Sequence, residues 1–252
     1  MSKKRAGHQA AANLVKLDDA HVWIFVEKHT EGLIQKIDKL TDLEFALEQM
    51  GTDKEYFTKD ELVDTVVLWK HTVGQLRSAN LKYLETNSDA DVRMISKQAI
   101  ALARKIQLKD CLESSGELLT TKGEKAIKEA ITTISKPLKG VGPATSSAML
   151  TVVRPDIFCY MYDEAIDCFS NKRKYDLKEY VLVAGKCLDK AQKMGHGWTT
   201  HRVAKTIWTA ARYLAIHGKD LTKEFNAAAK DSKGDNNDAG GKPSSSKRPK
   251  LV

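Results

Sequence analysis

An all-α fold follows from three features of the 252-residue chain. Apolar residues recur at three- and four-residue spacing along residues 17–226, and no run alternates at period two. Several of these runs begin at Ser, Thr or Asp followed three residues on by an acid, as helix starts do. Most of them stop at Gly or Pro, which end helices because one lacks a Cβ and the other an N–H.

Residues 1–16 hold four basic and no acidic side chains and read as a disordered basic leader. Val22, Phe25, Val26, Leu33, Ile34, Ile37 and Leu40 then mark helices. Leu43, Phe45, Ala46, Leu47 and Met50 mark a short one that Gly51 ends. Thr58-Lys59-Asp60-Glu61 is a capping box for a helix with Leu62, Val66, Trp69 and Val73 on one face, stopping near Gly74. Ser88-Asp89-Ala90-Asp91 opens a helix to about Leu108, and residues 109–120 form a connector. Thr121-Lys122-Gly123-Glu124 is a second capping box. Its helix, 122–135, presents Ala126, Ile127, Ala130, Ile131 and Ile134 and ends at Lys136-Pro137. Residues 164–170 read as helical, Asn171-Lys172-Arg173-Lys174 as a basic loop, and 176–194 as an amphipathic helix broken by Gly195-His196-Gly197. Trp198-Thr199-Thr200-His201 starts the last long helix, with Val203, Ile207, Trp208, Ala211, Tyr213 and Leu214 inward. From residue 227 to 252 Lys, Asp, Gly, Asn and Ser dominate, the composition of a disordered tail. The helical domain is thus expected over 17–226.

The totals narrow the function classes. No stretch approaches the ~20 apolar residues of a membrane span, so no membrane partner is expected. Cys111, Cys159, Cys168 and Cys187 form no Cys-x-x-Cys pair, which argues against zinc or another metal and for reduced core thiols. No cofactor motif is present. The formal net charge is +8, unevenly spread: residues 17–119 sum to −6 and 120–229 to +7. A basic half is the polarity that a phosphate-gripping surface needs. The acidic half is a candidate face for a protein partner. Lys247, Arg248, Pro249 and Lys250 form a short basic cluster like a nuclear import signal, pointing to an import receptor and a nuclear location.

Lys139-Gly140-Val141-Gly142-Pro143-Ala144-Thr145 is the most informative stretch. Two glycines permit a tight turn with positive φ and a close backbone approach. Pro143 suits the first position of a helix running on to Val153, and that helix start presents unpaired N–H groups to an anion. A hairpin of this kind, set in region 122–170, grips one nucleic-acid strand through backbone amides without reading bases.

Leu138, Gly140, Val141, Gly142, Thr145, Ala148 and Leu150, with Asp163 one helix and a short return later, resemble the helix-hairpin-helix DNA glycosylase superfamily. The closer resemblance is to its Amun-like eukaryotic branch. It rests on Leu138 to Thr145, Pro155, Phe158 and Asp163-Glu164-Ala165, and covers roughly residues 120–215. Trp69-Lys70, Gly74 and Arg77 look like a second signature of that branch. The resemblance implies a DNA partner and a glycosylase-like helical fold. It also implies that Asp163 is a catalytic carboxylate stabilising the positive charge that builds on the sugar as a base departs. The lysine of the bifunctional members falls at Ala144, which implies a monofunctional enzyme. A flipped base needs aromatic walls, for which Trp69, Tyr160, Tyr162 and Trp198 are candidates, with Lys70 or Arg77 near a phosphate or base. Core packing is the alternative for each aromatic. A catalytically inactive adaptor on the same fold is the alternative for the whole chain. The two readings differ in one observable: Asp163 lining an open, base-sized pocket beside the hairpin favours the enzyme, and Asp163 capping a helix N-terminus or pairing with an arginine favours the adaptor.

Overall fold

A computed structural model describes residues 3–74, 78–112, 119–170 and 172–234. The regular elements among those residues are all helices, with no β-strand among them and an isolated antiparallel bridge joining Leu112 to Leu119. The elements are α1 (Lys3–Val15), α2 (Ala20–Glu27), α3 (Thr30–Ile34), α4 (Leu40–Met50), a π-helical segment (Glu61–Val67) leading into α5 (Leu68–Val73), and α6 (Ser78–Leu84). They continue as α7 (Asp89–Lys105), α8 (Thr121–Ser135), α9 (Pro143–Val153), α10 (Asp163–Phe169), α11 (Leu177–Met194), α12 (Thr200–His217) and α13 (Leu221–Gly234). None is long and apolar enough to cross a membrane.

α12 is the axis of one half. Its Val203, Ala204, Ile207, Trp208 and Ala211 are buried against α1, α2, α3, α10, α11 and α13. The other half packs α7 on α8 and α8 on α9, with α9 also touching the π segment, α4 and α11. Arg154, just past α9, ties the two ends together. Its guanidinium donates to Ala103 O (2.8 Å), which also accepts from the C-cap Ile106 N–H, and to Ile106 O (3.1 Å), while Nε bonds Asp156 at 2.8 Å.

Two terminal expectations are corrected. The leader is not a disordered segment: residues 3–15 form α1, with Ala10, Ala11 and Leu14 fully buried. Small residues explain how it docks. An added Cβ at Gly7 would lie 2.7 Å from Ala211 O, so α1 approaches α12 at backbone distance. At the other end α13 runs through the expected boundary at 227, and its Phe225 ring packs 5.5 Å from Phe25. Lys247, Arg248, Pro249 and Lys250 lie outside the described residues. Two smaller shifts accompany these. The α8 N-cap is Thr120, whose hydroxyl accepts from Gly123 N–H at 2.9 Å, one residue before the expected box. Phe45, one of the residues that mark α4 in the sequence, is 61% exposed.

Candidate nucleic-acid interface

The hairpin between α8 and α9 is held from both sides. Leu138 and Val141 are buried, pinning the turn to the core. Gly140 has φ +75°, a conformation a Cβ would strain by ~1–2 kcal/mol. Asn87 grips the apex: its Oδ1 accepts from Lys139 N–H and its Nδ2 donates to Lys139 O, both at 2.9 Å. Gly142 is the N-cap of α9 with extended backbone, and Pro143 is its first residue. From Thr145 onward α9 is almost wholly buried, so only its start faces outward. Among the described residues no acceptor faces the N–H groups of Gly142 and Ala144. A Cβ at Gly142 would meet nothing within 4 Å. The absence of a side chain there keeps open space open.

That helix start and Asp163 line the same cleft, about 280 Å³ in volume. Its walls are Gly142–Thr145, Lys70, Tyr160, Met161, Asp163, Lys174 and Tyr175. Asp163 is the first residue of α10, where the helix dipole favours a carboxylate. Both of its oxygens are engaged. Oδ2 accepts from Arg173 Nη1 at 2.6 Å, and Oδ1 from the Tyr175 hydroxyl at 2.9 Å. Arg173 turns its other edge to Asp167: Nε donates to Oδ1 at 2.6 Å and Nη2 to Oδ2. His8 of α1 reaches the same carboxylate, Nε2 to Asp167 Oδ2 at 2.7 Å. The bonds to Asp167, and then the charges of Asp163 and Asp167, raise the Arg173 pKa further still, so it stays a cation. Burial and the bond to Asp163 raise the Tyr175 phenol, which keeps its proton as a donor. The neighbouring Glu164 is buried, and burial raises its carboxyl despite Arg212 Nε 3.0 Å away.

Arg173 points inward to two carboxylates, while Lys174 lines the cleft. His8, Asn87, Arg173 and Tyr175 carry no local signal of these roles, because each acts on a partner distant in the chain or across a loop.

The aromatic candidates separate. Tyr160 and Lys70 line the cleft. Trp69 is buried edge-on to Tyr160 (centroids 4.8 Å apart), and its Nε1 donates to Glu44 at 3.0 Å. Tyr162 is buried between Trp69, Tyr160, His201 and Trp208. Neither Trp69 nor Tyr162 is a wall of the cleft beside Asp163. Trp69 instead borders a second cavity of about 310 Å³ with Glu44, Leu47, His201 and Lys205. Trp198 lies elsewhere, packed on Trp23 and under Arg202. Arg77 lies outside the described residues. Among the described residues no group of three or more His, Cys, Asp or Glu side chains is placed to hold a metal, and Cys111, Cys159, Cys168 and Cys187 are free thiols.

Two histidines near this centre give the fold an acid limit. His201 Nδ1 accepts from Tyr160 N–H at 3.4 Å and its ring stacks on Tyr162; burial lowers its pKa to about 3. Burial, then Lys70, lowers His71 to about 4. Each binds its proton more weakly folded than unfolded. Their contribution is complete above the unfolded value near 6.5 and is lost as pH falls toward 4 and 3. Melting temperature is expected to fall steadily from pH 6.5 to 4.5, and His201→Gln to flatten part of that fall. Equal slopes for the two proteins in a melting series would remove His201 as a cause.

A scan against protein-family models, a search of curated proteins and a search of solved structures each returned no match, which leaves the geometry of the cleft as the ground for its interpretation.

Proposed function

We propose that this chain binds DNA along one sugar–phosphate backbone, through the Lys139–Thr145 hairpin of a helix-hairpin-helix glycosylase-like fold, and that Asp163 serves monofunctional base excision. The observation that carries the reading is the shared cleft: outward-facing amides at the start of α9 and the Asp163 carboxylate line one cavity. Lys70 and Lys174 border it as well, so a phosphate at the hairpin end has cations near it. A sugar beside the carboxylate would have the negative charge that a departing base calls for. Two aspartates against one arginine leave that end of the cleft net negative while His8 is neutral. With Ala144 at the lysine position, water is the attacking group, and no imine to the protein forms.

A second reading is favoured by the clasp on Asp163. A carboxylate held by Arg173 and Tyr175 is also what an inactive adaptor would keep, with the acidic residues 17–119 facing a protein.

The test of the binding half is a salt series with duplex and single-stranded DNA. Wild type is expected to show a slope of about −0.9 per phosphate neutralised on duplex. Gly142→Thr keeps a good N-cap and its backbone is already extended, so melting is expected to change little. The added side chain fills the cleft mouth, and affinity is expected to fall roughly tenfold, about 1.4 kcal/mol. No binding by wild type at low salt would end the DNA reading. The test of the excision half is incubation with duplexes carrying assorted damaged bases, scored by alkali-cleavable sites. Binding without any excision would leave the adaptor.

A further inference from the structure

The side chains that clasp Asp163 sit on a loop, and one buried carboxylate outside the cleft holds that loop. The chain leaves α10 at Ser170, and residues 172–175 lead into α11, where Asp176 is the N-cap and accepts from Glu179 N–H at 2.8 Å. Asp176 and Glu179 stand at capping-box spacing, in which the second acid ordinarily reaches back to the N-cap amide. Glu179 instead reaches further. Its Oε2 accepts from Lys174 N–H (2.9 Å) and Tyr175 N–H (2.6 Å), and its Oε1 from the Ser170 hydroxyl (2.8 Å). It is only 4% exposed, and among the described residues it forms no ion pair. Among the described residues, these three side-chain hydrogen bonds all go to residues 170–175.

The loop needs such a hold. Tyr175 has φ +56°, a conformation that a residue with a Cβ and a bulky ring adopts at a cost of ~1–3 kcal/mol. The Glu179 bond to the Tyr175 amide fixes that turn. It aims the Tyr175 hydroxyl at Asp163 Oδ1, while Arg173, two residues earlier, reaches Oδ2. With a donor on each oxygen, the plane of the Asp163 carboxylate is set.

We infer that Glu179 is a positioning residue for Asp163: it acts through the 170–175 loop to fix the orientation of that carboxylate in the cleft. The inference rests on the excision reading for its effect on turnover, and on geometry alone for its effect on the loop. Glu179→Ala removes all three acceptors. Glu179→Gln keeps one oxygen for the two amides and can turn its amide toward Ser170.

The experiment reads both levels in the full chain. Carbon-13 NMR of labelled tyrosine, with Tyr175 assigned through Tyr175→Phe, follows the phenol titration. In Glu179→Ala the Tyr175 phenol is expected to titrate closer to the ordinary value near 10, while Glu179→Gln stays close to wild type. On a duplex that wild type excises, Glu179→Ala is expected to lose about 10- to 100-fold in kcat, as a displaced group does. KM and hairpin binding should stay within about twofold, and Glu179→Gln should restore most of the rate. An unshifted Tyr175 in a folded Glu179→Ala protein overturns the inference, as does a loss confined to KM. If wild type excises nothing, the excision reading and the catalytic part of this inference fall together. The Tyr175 titration then decides separately whether Glu179 holds the clasp. Were Glu179→Ala to fail to fold, Ser170→Ala with Glu179→Gln removes the Oε1 anchor and the charge, and the same two readouts apply.

Discussion

Removing residues 1–16 is expected to destabilise the protein by more than the loss of any one core side chain. Leu14 is fully buried, and Leu14→Ala alone should cost about 2–5 kcal/mol. For a chain of this size each kcal/mol lowers the melting temperature by roughly 2–4 °C. Deletion also removes Ala10 and Ala11, opens the face of α12 around Ala211, and takes His8 from Asp167. The truncated protein should melt well below Leu14→Ala or fail to fold. A disordered basic leader would behave in the opposite way. Its loss would leave melting unchanged and make the DNA-binding salt slope shallower by as many as four contacts. Thermal melts of the deletion and of Leu14→Ala, with a salt series on whichever folds, separate the two. An unchanged melting temperature for Leu14→Ala would show that α1 is not part of the core.

α1 escapes sequence reading for a physical reason. Its buried face is made of Gly7, Ala10, Ala11 and Leu14, and small residues give weak hydrophobic periodicity even where they let two backbones touch. Lys3, Lys4 and Arg5 at its start read in the sequence as part of a basic leader. α13 is hidden likewise by Ala, Lys and Asp, with Leu221 and Phe225 its large apolar anchors. The hairpin was legible because its determinants are local: buried Leu138 and Val141, Gly140 at positive φ, and Pro143 at the helix start. The partners of Asp163 were not, because Arg173 and Tyr175 are brought to it by a loop, and Asp167 beside them receives His8 from α1 near the start of the chain. Trp69 and Tyr162 illustrate the remaining ambiguity. An aromatic at helical spacing looks the same whether it stacks on a ligand or, as here, on other rings in the core.

On the proposed excision reading, Asp163→Asn is expected to reduce base excision by about 10²–10³-fold while leaving DNA affinity and melting nearly unchanged. The two halves of this expectation have different origins. The rate falls because an amide offers the developing sugar cation no net negative charge. Stability holds because Arg173 does not depend on Asp163. Its Nε and Nη2 edge is matched two-to-two by Asp167, the geometry in which an arginine–carboxylate pair is strongest, and Asp163 receives only the remaining Nη1. Asparagine can still accept one bond from Arg173 or Tyr175. Asp167→Asn makes the contrast. It breaks the two-point pair and removes the acceptor of His8, so it should cost on the order of 1–3 kcal/mol of stability. Excision by Asp167→Asn should fall less than in Asp163→Asn. Rates, affinities and melts of both variants therefore form one experiment. Unchanged excision in Asp163→Asn would remove its catalytic role. A melting loss in Asp163→Asn as large as in Asp167→Asn would make both aspartates anchors of the same loop, and the cleft would then be the preserved surface of an adaptor.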